Sequence, residues 1–592
     1  MMRTHTCGEL TKKDLGKEAT LCGWVHVRRD HGGIIFIDLR DRHGITQVVF
    51  DPSHNKEAHK ASEHLGREWV MKIAGHVRMR PEGMANPKMH TGDVEVLVDS
   101  MVILNKAEVP PIEVDDRASA SEELRLKYRY LDLRRPIMQQ RLHLRHRAAQ
   151  AAREYLSDQG FMEIETPMLV KTTPGGARVF KVPSRSHPGK FFSLPESPQI
   201  YKQLLMVAGC DRYFQIARCL RDEDLRMDRQ PEFTQIDLEM SFVDMDDVLA
   251  IGEGALKHMF KKVLNLDVKT PFQRITFHDA MRTYGSDKPD LRFGLEFVDV
   301  TQIAAKSDFG IFKSVVGKKG HVFCLRVPDA AKFSRTEIEE LIEIAKLHKL
   351  AGLAYMKVAG AKLDSNIAKY FAEPLQQELI KETKAKDGDL LLFSAEEFEK
   401  AANALGQVRL HLGKKLNLIK EGEWKFCWIV DFPMYEWNEE LNAWQARHHI
   451  FTRPKDEDLE KLETDPASVR GKLYDVVLNG VELSSGSIRI HEKALQERVL
   501  KVIGLTYEQA TKRFDFLLEA FKYGAPPHGG MALGFDRLVA LMGGHNDIRE
   551  FIAFPRNKAT EDPLDGSPQE WTEEFLRDLK LKVDLPPPNK PK

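Results

Sequence analysis

The residues best suited to chemistry lie in one short stretch. Arg221-Asp222-Glu223-Asp224 is followed by Gln230-Pro231-Glu232-Phe233-Thr234-Gln235-Ile236-Asp237. A guanidinium is a planar fork that grips a phosphate at two points. An aromatic ring offers a face on which a base can stack. The preceding residues, Asp211 to Cys219, alternate polar and apolar, and Phe233 to Phe242 alternate again. Two strands joined by a charged loop are expected. Such a hairpin would hold Arg221 over one end of a nucleotide and Phe233 under its base. The same residues also read as a polar hairpin whose surface ion pairs are worth about 0–1 kcal/mol.

A second segment, Gly529-Gly530-Met531-Ala532-Leu533-Gly534-Phe535-Asp536-Arg537-Leu538, tips the balance. Its glycines let a backbone approach a ligand closely. Arg537 opens an apolar helical stretch, Leu538 to Met542. The two segments resemble motifs 2 and 3 of the class II aminoacyl-tRNA synthetases. Gly160-Phe161-Met162-Glu163-Ile164-Glu165-Thr166-Pro167 resembles motif 1, which lies at that family's dimer seam. Ser197-Pro198-Gln199-Ile200-Tyr201-Lys202-Gln203 is close to the bacterial-type aspartyl branch. The resemblance covers nearly the whole chain.

Composition sets the frame. At 592 residues, three or four domains are expected. Lys plus Arg number 88 against 89 Asp plus Glu, so any RNA partner must be met by local patches. No apolar run is long enough for a membrane span, and the N-terminus lacks a signal-peptide core. The six cysteines form no C-x-x-C pair, which argues against a zinc site or disulfide framework and fits a reducing cytoplasm.

The expected fold class is α+β and multidomain. Residues 1–105 carry five short strands divided by Gly and Asp turns, suggesting an OB-type β-barrel, with a β-sandwich as the alternative. The Pro110-Pro111 break marks a hinge, 106–135. The resemblance divides the rest into a leading catalytic segment with motifs 1 and 2 (136–294), an inserted α/β domain (295–422), a closing catalytic segment with motif 3 (423–557) and a C-terminal extension (558–592). The catalytic segments together imply an antiparallel sheet. The tail from Pro586 reads as a flexible end. Between Ser121 and Gln150 basic residues outnumber acids, which suits an RNA backbone or a solvated helix face.

The resemblance also implies a reaction. The carboxylate of L-aspartate attacks the α-phosphorus of ATP, and a tRNA ribose hydroxyl then attacks the aspartyl-adenylate. The first nucleophile is already ionised, so catalysis should come from positioning and charge stabilisation. Arg221, Glu223 and Arg537 are the implied catalytic residues. ATP would be held by Arg221, Asp222, Glu223, Gln230, Phe233, Glu482, Gly534, Phe535, Asp536 and Arg537, with Phe233 and Arg537 sandwiching adenine. Asp475 and Glu482 would carry Mg²⁺. Aspartate would meet Ser197, Gln199, Ile200, Tyr201, Lys202, Arg221, Asp237, His448, His449 and Arg489, with Lys202 and Arg489 facing its side chain. One departure is Pro174-Gly175-Gly176-Ala177, where the family shows Pro-Glu-Gly-Ala, so a contact to the substrate ammonium is absent or supplied elsewhere.

In the N-terminal module, Arg29, Phe36, Gln47 and Glu95 match positions that read anticodon bases. His31 and Gly83 resemble the non-discriminating branch, which charges both tRNA(Asp) and tRNA(Asn). A strictly discriminating enzyme and a non-catalytic RNA-binding relative are the alternatives. A homodimer in the cytoplasm, with no membrane contact, is the expected form.

Overall fold

A computed structural model describes residues 1–172 and 178–584. Strands β1 (Glu18–His31), β2 (Ile34–Asp41), β3 (Gly44–Phe50), β4 (Val70–Met79) and β5 (Val94–Asn105) close a barrel in the order β1-β2-β3-β5-β4. Alternation explains it: Leu21, Val25, Ile35, Ile37, Leu39, Val48, Ile73 and Val96 are buried in one core. Closure excludes the sandwich alternative and removes free strand edges. Phe36 lies outside that core. It pairs across the sheet with Arg29, and Asp38 with Gln47, so these four share the outer face.

The second body is built on β6 (Met162–Glu163), a hairpin of β7 (Lys181–Pro183) and β8 (Phe191–Ser193), β9 (Arg212–Leu220), β10 (Glu232–Ser241) and β11 (Gln273–Thr276). An inserted unit follows, with β12 (Phe297–Asp299), β13 (His321–Val327), β14 (Ala354–Ala359), β15 (Lys362–Asp364) and β16 (Leu390–Glu396) in a separate sheet, order β12-β13-β16-β14-β15. The chain returns through β17 (Phe426–Val430), the hairpin β18 (Tyr435–Asn438) and β19 (Ala443–Ala446), then β20 (Leu473–Leu478), β21 (Val481–Ile488) and β22 (His528–Gly534). The main sheet runs β11-β17-β20-β21-β22-β10-β9-β6. Its central pairs are antiparallel, and only the two edge pairs are parallel.

One face of this sheet packs on helices Pro136–Asp158 and Met245–Leu264, around the fully buried Trp428. The inserted unit shares a core with the other end: Leu405 and Val408 of helix Phe398–Lys415 lie in one cluster with Cys427, Ile429 and Val477. Glycine does a packing job here. A Cβ at Gly530 would sit 2.1 Å from the Leu238 carbonyl oxygen and 2.2 Å from a Glu239 carboxylate oxygen. The expectation that this glycine admits a ligand is therefore corrected: it admits Glu239.

Neither reading of the basic run from 121 to 150 holds as a whole. Arg125 bonds Asp132 and Glu550, and Arg141 bonds Glu550. The buried Arg129 donates to the carbonyls of Arg549, Ile552 and Ala553. Arg134 reaches Glu68 on the barrel at 3.0 Å. These cations tie distant chain segments together instead of facing an RNA or bulk water.

Candidate active site

A cleft of about 450 Å³ opens over β10, β20, β21 and β22. Arg221, from the end of β9, and Arg537, from the first turn of helix Phe535–Met542, both line it. They stand 316 positions apart in the sequence yet meet in one concavity. The Arg221 guanidinium carbon lies 5.0 Å over the Phe233 ring, and its buried Nε has no hydrogen-bond partner. Arg537 donates to the Glu482 carbonyl at 3.1 Å and pairs with Asp228 at 3.1 Å. Glu223 pairs with Arg229 at 2.8 Å. In this structure it is therefore Arg221, not Arg537, that covers Phe233.

The opposite end is a buried charge cluster. Arg489 donates to Glu239 at 2.8 and 3.1 Å, to Ser487 Oγ at 2.6 Å and to the Gly530 carbonyl at 3.3 Å. Its Nη1 also lies 2.7 Å from His449 Nε2. Lys202 pairs with Asp237 at 2.7 Å and with Glu239 at 3.3 Å. Burial opposes the Glu239 charge, but Arg489 and Lys202 outweigh it and hold the carboxyl at about 2. Burial dominates at Asp237 and raises its carboxyl despite Lys202; its Oδ2 has no hydrogen-bond partner. Lys202 and Asp237 are thus already paired with each other. Lys202 was expected to face the substrate's side chain together with Arg489, whereas here its ammonium is already taken by Asp237 and Glu239.

His448 and His449 line the same end. Burial, then the Arg447 charge, pushes His448 down to about 4, and burial with Arg489 drives His449 well below the usual imidazole range. Both are neutral near pH 7. A depressed folded-state pKa means that the unfolded chain binds protons more readily. The associated stability is complete above about 6.5 and drains as pH falls toward 4. Melting temperature should therefore fall steeply across that window, and His448→Gln should make the fall shallower. Equal slopes for the two proteins would contradict the assignment.

Asp475 and Glu482 both line the cleft, on the neighbouring strands β20 and β21. Burial, then the Glu482 charge, pushes the Asp475 carboxyl well above its usual range, and its Oδ1 is buried without a partner. Two crowded oxygen donors with an unmet acceptor fit a hard divalent cation that leans on other oxygens for the rest of its shell. Among the described residues no cluster of three or more His, Cys, Asp or Glu groups could hold a metal by itself.

Other expected residues do different things. Phe535 is buried in the main core with Arg145 stacked 4.9 Å over it, so it does not meet a nucleotide. Asp536 borders the cleft, but its carboxylate is spent on Arg145 at 2.6 Å and the Thr234 N–H at 2.7 Å. Gln230 lines the cleft while both ends of its amide bond the Arg556 backbone, at 3.3 and 2.8 Å. Ile200 packs in a core with Phe451 and Phe514, and Tyr201 lies 6.4 Å from the Phe516 ring; both anchor helix Gln199–Val207. Ser197, Gln199 and Gly534 do line the cleft. Asp222 borders a neighbouring recess with Arg178 and Lys558. Gly175 and the tail from Pro586 lie outside the described residues.

On the barrel face three of the four expected anticodon readers, Arg29, Gln47 and Glu95, form one network. Arg29 holds Asp38 at 2.8 Å and reaches Gln47 at 3.3 Å; Gln47 donates to Glu95 at 2.7 Å, which also accepts from Arg78 at 2.8 Å. His31 is exposed, 6.2 Å from the Phe36 ring. Gly83 has φ of +78°, a conformation that by itself favours glycine.

Sequence reasoning missed Glu239, Asp228, Arg229 and Asp287. Glu239 was findable: Phe233, Gln235, Asp237 and Glu239 recur every second residue and so share one face of β10. Asp287 had no such signal, because it sits in a loop.

A closed barrel joined to an antiparallel sheet, with a cleft that gathers two distant arginines, defines a class of protein: an RNA-type module attached to a nucleotide-type site. Residues 121–558 match the model of the tRNA synthetases class II (D, K and N), and residues 19–104 match that of the OB-fold nucleic acid binding domain. The chain belongs to the class II tRNA synthetases of the D, K and N group. It is 50% identical over 585 residues to an aspartate–tRNA(Asp/Asn) ligase of Caldanaerobacter subterraneus subsp. tengcongensis, covering 99% of each chain. It is 50% identical over 593 residues to the ligase of that name from Aquifex aeolicus, covering 98% of each. In fold it is similar to asparaginyl-tRNA synthetase from Pyrococcus horikoshii complexed with asparaginyl-adenylate, at TM-score 0.59 and 20% identity, covering 94% of this chain and 99% of that one.

Proposed function

We propose that this chain ligates L-aspartate to tRNA in two ATP-dependent steps and charges both tRNA(Asp) and tRNA(Asn). The observation that carries the chemistry is a convergence of unmet polar atoms. Gln199 Nε2, Arg221 Nε, Asp475 Oδ1 and Ser484 Oγ are all buried without partners, and all four residues line the one cleft. Buried polar atoms are normally paired, so four orphans in one cavity point to a polar ligand.

The cleft orders the ligand from end to end. Arg489, held rigid by Glu239, faces the side-chain carboxylate of aspartate. Asp237 Oδ2, still without a partner, suits its ammonium. Arg221 sits where the α-phosphate and the attacking carboxylate meet, stabilising charge that builds in the transition state. Phe233 and Arg537 hold adenine between them, and Glu223 meets its amino group or ribose. For Arg537 to do so, its contact with Asp228 must give way and Arg221 must leave the face of Phe233 that the base takes. Asp475 and Glu482 would hold Mg²⁺, which neutralises phosphate charge when bound. Asp475→Asn should raise the Mg²⁺ concentration needed for half-maximal exchange by about 10-fold or more; an unchanged requirement would remove Asp475 from the metal site.

Aspartate-dependent ATP–pyrophosphate exchange, absent with asparagine, tests the first step. The dual tRNA reading is supported by the names of the relatives and by the residue types at His31, which lies 6.2 Å from the Phe36 ring, and at Gly83. Charging assays with both purified tRNAs test it; aspartylation of tRNA(Asp) alone would leave a strictly discriminating enzyme. The outer-face network of Arg29, Gln47 and Glu95 suits the anticodon. No described helix is long and apolar enough to cross a membrane, and all six cysteines are free. We place the enzyme in the cytoplasm as a homodimer, joined along motif 1 and Pro167.

A further inference from the structure

We infer that the inserted unit positions the amino-acid end of the cleft, through Glu399 acting on Arg447; this rests on the aspartate reading above. Glu399 stands in the first turn of helix Phe398–Lys415 and does not line the cleft. It accepts two hydrogen bonds from Arg447, at 2.9 and 3.2 Å. The Arg447 guanidinium also lies 4.5 Å over the Phe277 ring. A two-point ion pair stacked on a ring fixes orientation as well as distance. Arg447 emerges directly from β19, and the next two residues, His448 and His449, line the cleft. His449 in turn meets Arg489 at 2.7 Å. One chain of contacts therefore runs from the inserted unit to the cation assigned to the substrate carboxylate.

The same helix braces a second border of the cleft. Its buried Arg409 donates to the carbonyls of Asp290, Phe293, Gly294 and Leu295. Those carbonyls gather the loop that carries Asp287, another cleft residue. The carboxylates of Glu399, Glu436 and Asp287 all act on Arg447. Removing Glu399 would leave Arg447 to the competing pull of Glu436 and of Asp287, and the latter lines the cleft. Glu399 is thus a positioning residue, not a catalytic one.

The test uses the full-length enzyme and Glu399→Gln. In aspartate-dependent ATP–pyrophosphate exchange, KM for aspartate should rise about three- to tenfold while KM for ATP moves less than about twofold. Melting temperature should stay within a few degrees, and Glu399→Asp should restore most of the loss. Arg447→Met should raise KM for aspartate to the same degree, and the double variant should add nothing further. An unmoved KM for aspartate, or equal rises for aspartate and ATP, would overturn the inference while leaving the aspartate reading intact. Wild-type enzyme without aspartate-dependent exchange would sink both.

Discussion

Arg489→Leu should abolish aspartate-dependent ATP–pyrophosphate exchange, lowering kcat/KM by at least about 10³, and should also destabilise the fold. Both effects have one cause. Arg489 is only 2% exposed and bonds Glu239, Ser487 and the Gly530 carbonyl. Leucine leaves Glu239 buried beside Lys202, which must already serve Asp237. Breaking a buried pair by removing one partner costs about 3–5 kcal/mol. Substrate loses its cation at the same time, and an aspartate carboxylate entering a pocket without it meets the Glu239 charge. Arg489→Lys keeps the charge but not the fork, so it should fold better than the leucine variant and still lose most of the exchange activity. Urea unfolding and exchange measured on the same preparations separate the two effects. Retention of exchange within about tenfold of wild type in the leucine variant would remove Arg489 from the aspartate site.

Arg221→Ala should be nearly as inactive and almost fully stable. Its guanidinium touches the Phe233 ring, and its buried Nε bonds nothing. Little native structure is lost with it. Deleting one preorganised donor at a developing charge typically costs about 10²–10³ in kcat, and a residue that also holds the attacking group should sit at the upper end. Single-turnover formation of aspartyl-adenylate should slow by about that factor, with the melting temperature unchanged within a few degrees. The alanine variant also uncovers Phe233, so ATP binding should weaken less than turnover does. Normal adenylate formation in this variant would mean that the cleft binds nucleotide in some other orientation. The contrast with Arg489 is itself diagnostic: one arginine is built into the fold, whereas the other waits for substrate.

Much of this was legible along the chain because it rests on local periodicity. The alternation in Asp211–Cys219 and Phe233–Phe242 corresponds to β9 and β10 within a residue at each end. The barrel strands follow the same rule, and their buried residues are those at every second position. The two arginines were picked out by the resemblance of their segments to motifs 2 and 3 of the family, since a charged loop after a strand also reads as an ordinary polar hairpin. What failed was partner choice. Phe535 and Ile200 stand beside cleft residues in sequence but are buried in cores, since each step along a helix turns the side chain about 100° away from its neighbour. Lys202 was expected to face the substrate's side chain, but Glu239 and Asp237 reach it from β10.

The amino-acid sequence alone determined which segments become strands and which side chains are able to grip phosphate or stack on a base. These depend on interactions a few residues apart. Only the tertiary structure decided which charges neutralise each other and which remain for a ligand. Arg125 finds Glu550 across 425 positions, and Arg489 finds Glu239 across 250. In a chain with almost equal numbers of cations and anions, nothing local says which pairs will meet. Folding makes that selection by bringing opposite charges together where water is excluded, and it leaves four unmatched polar atoms gathered on one cleft.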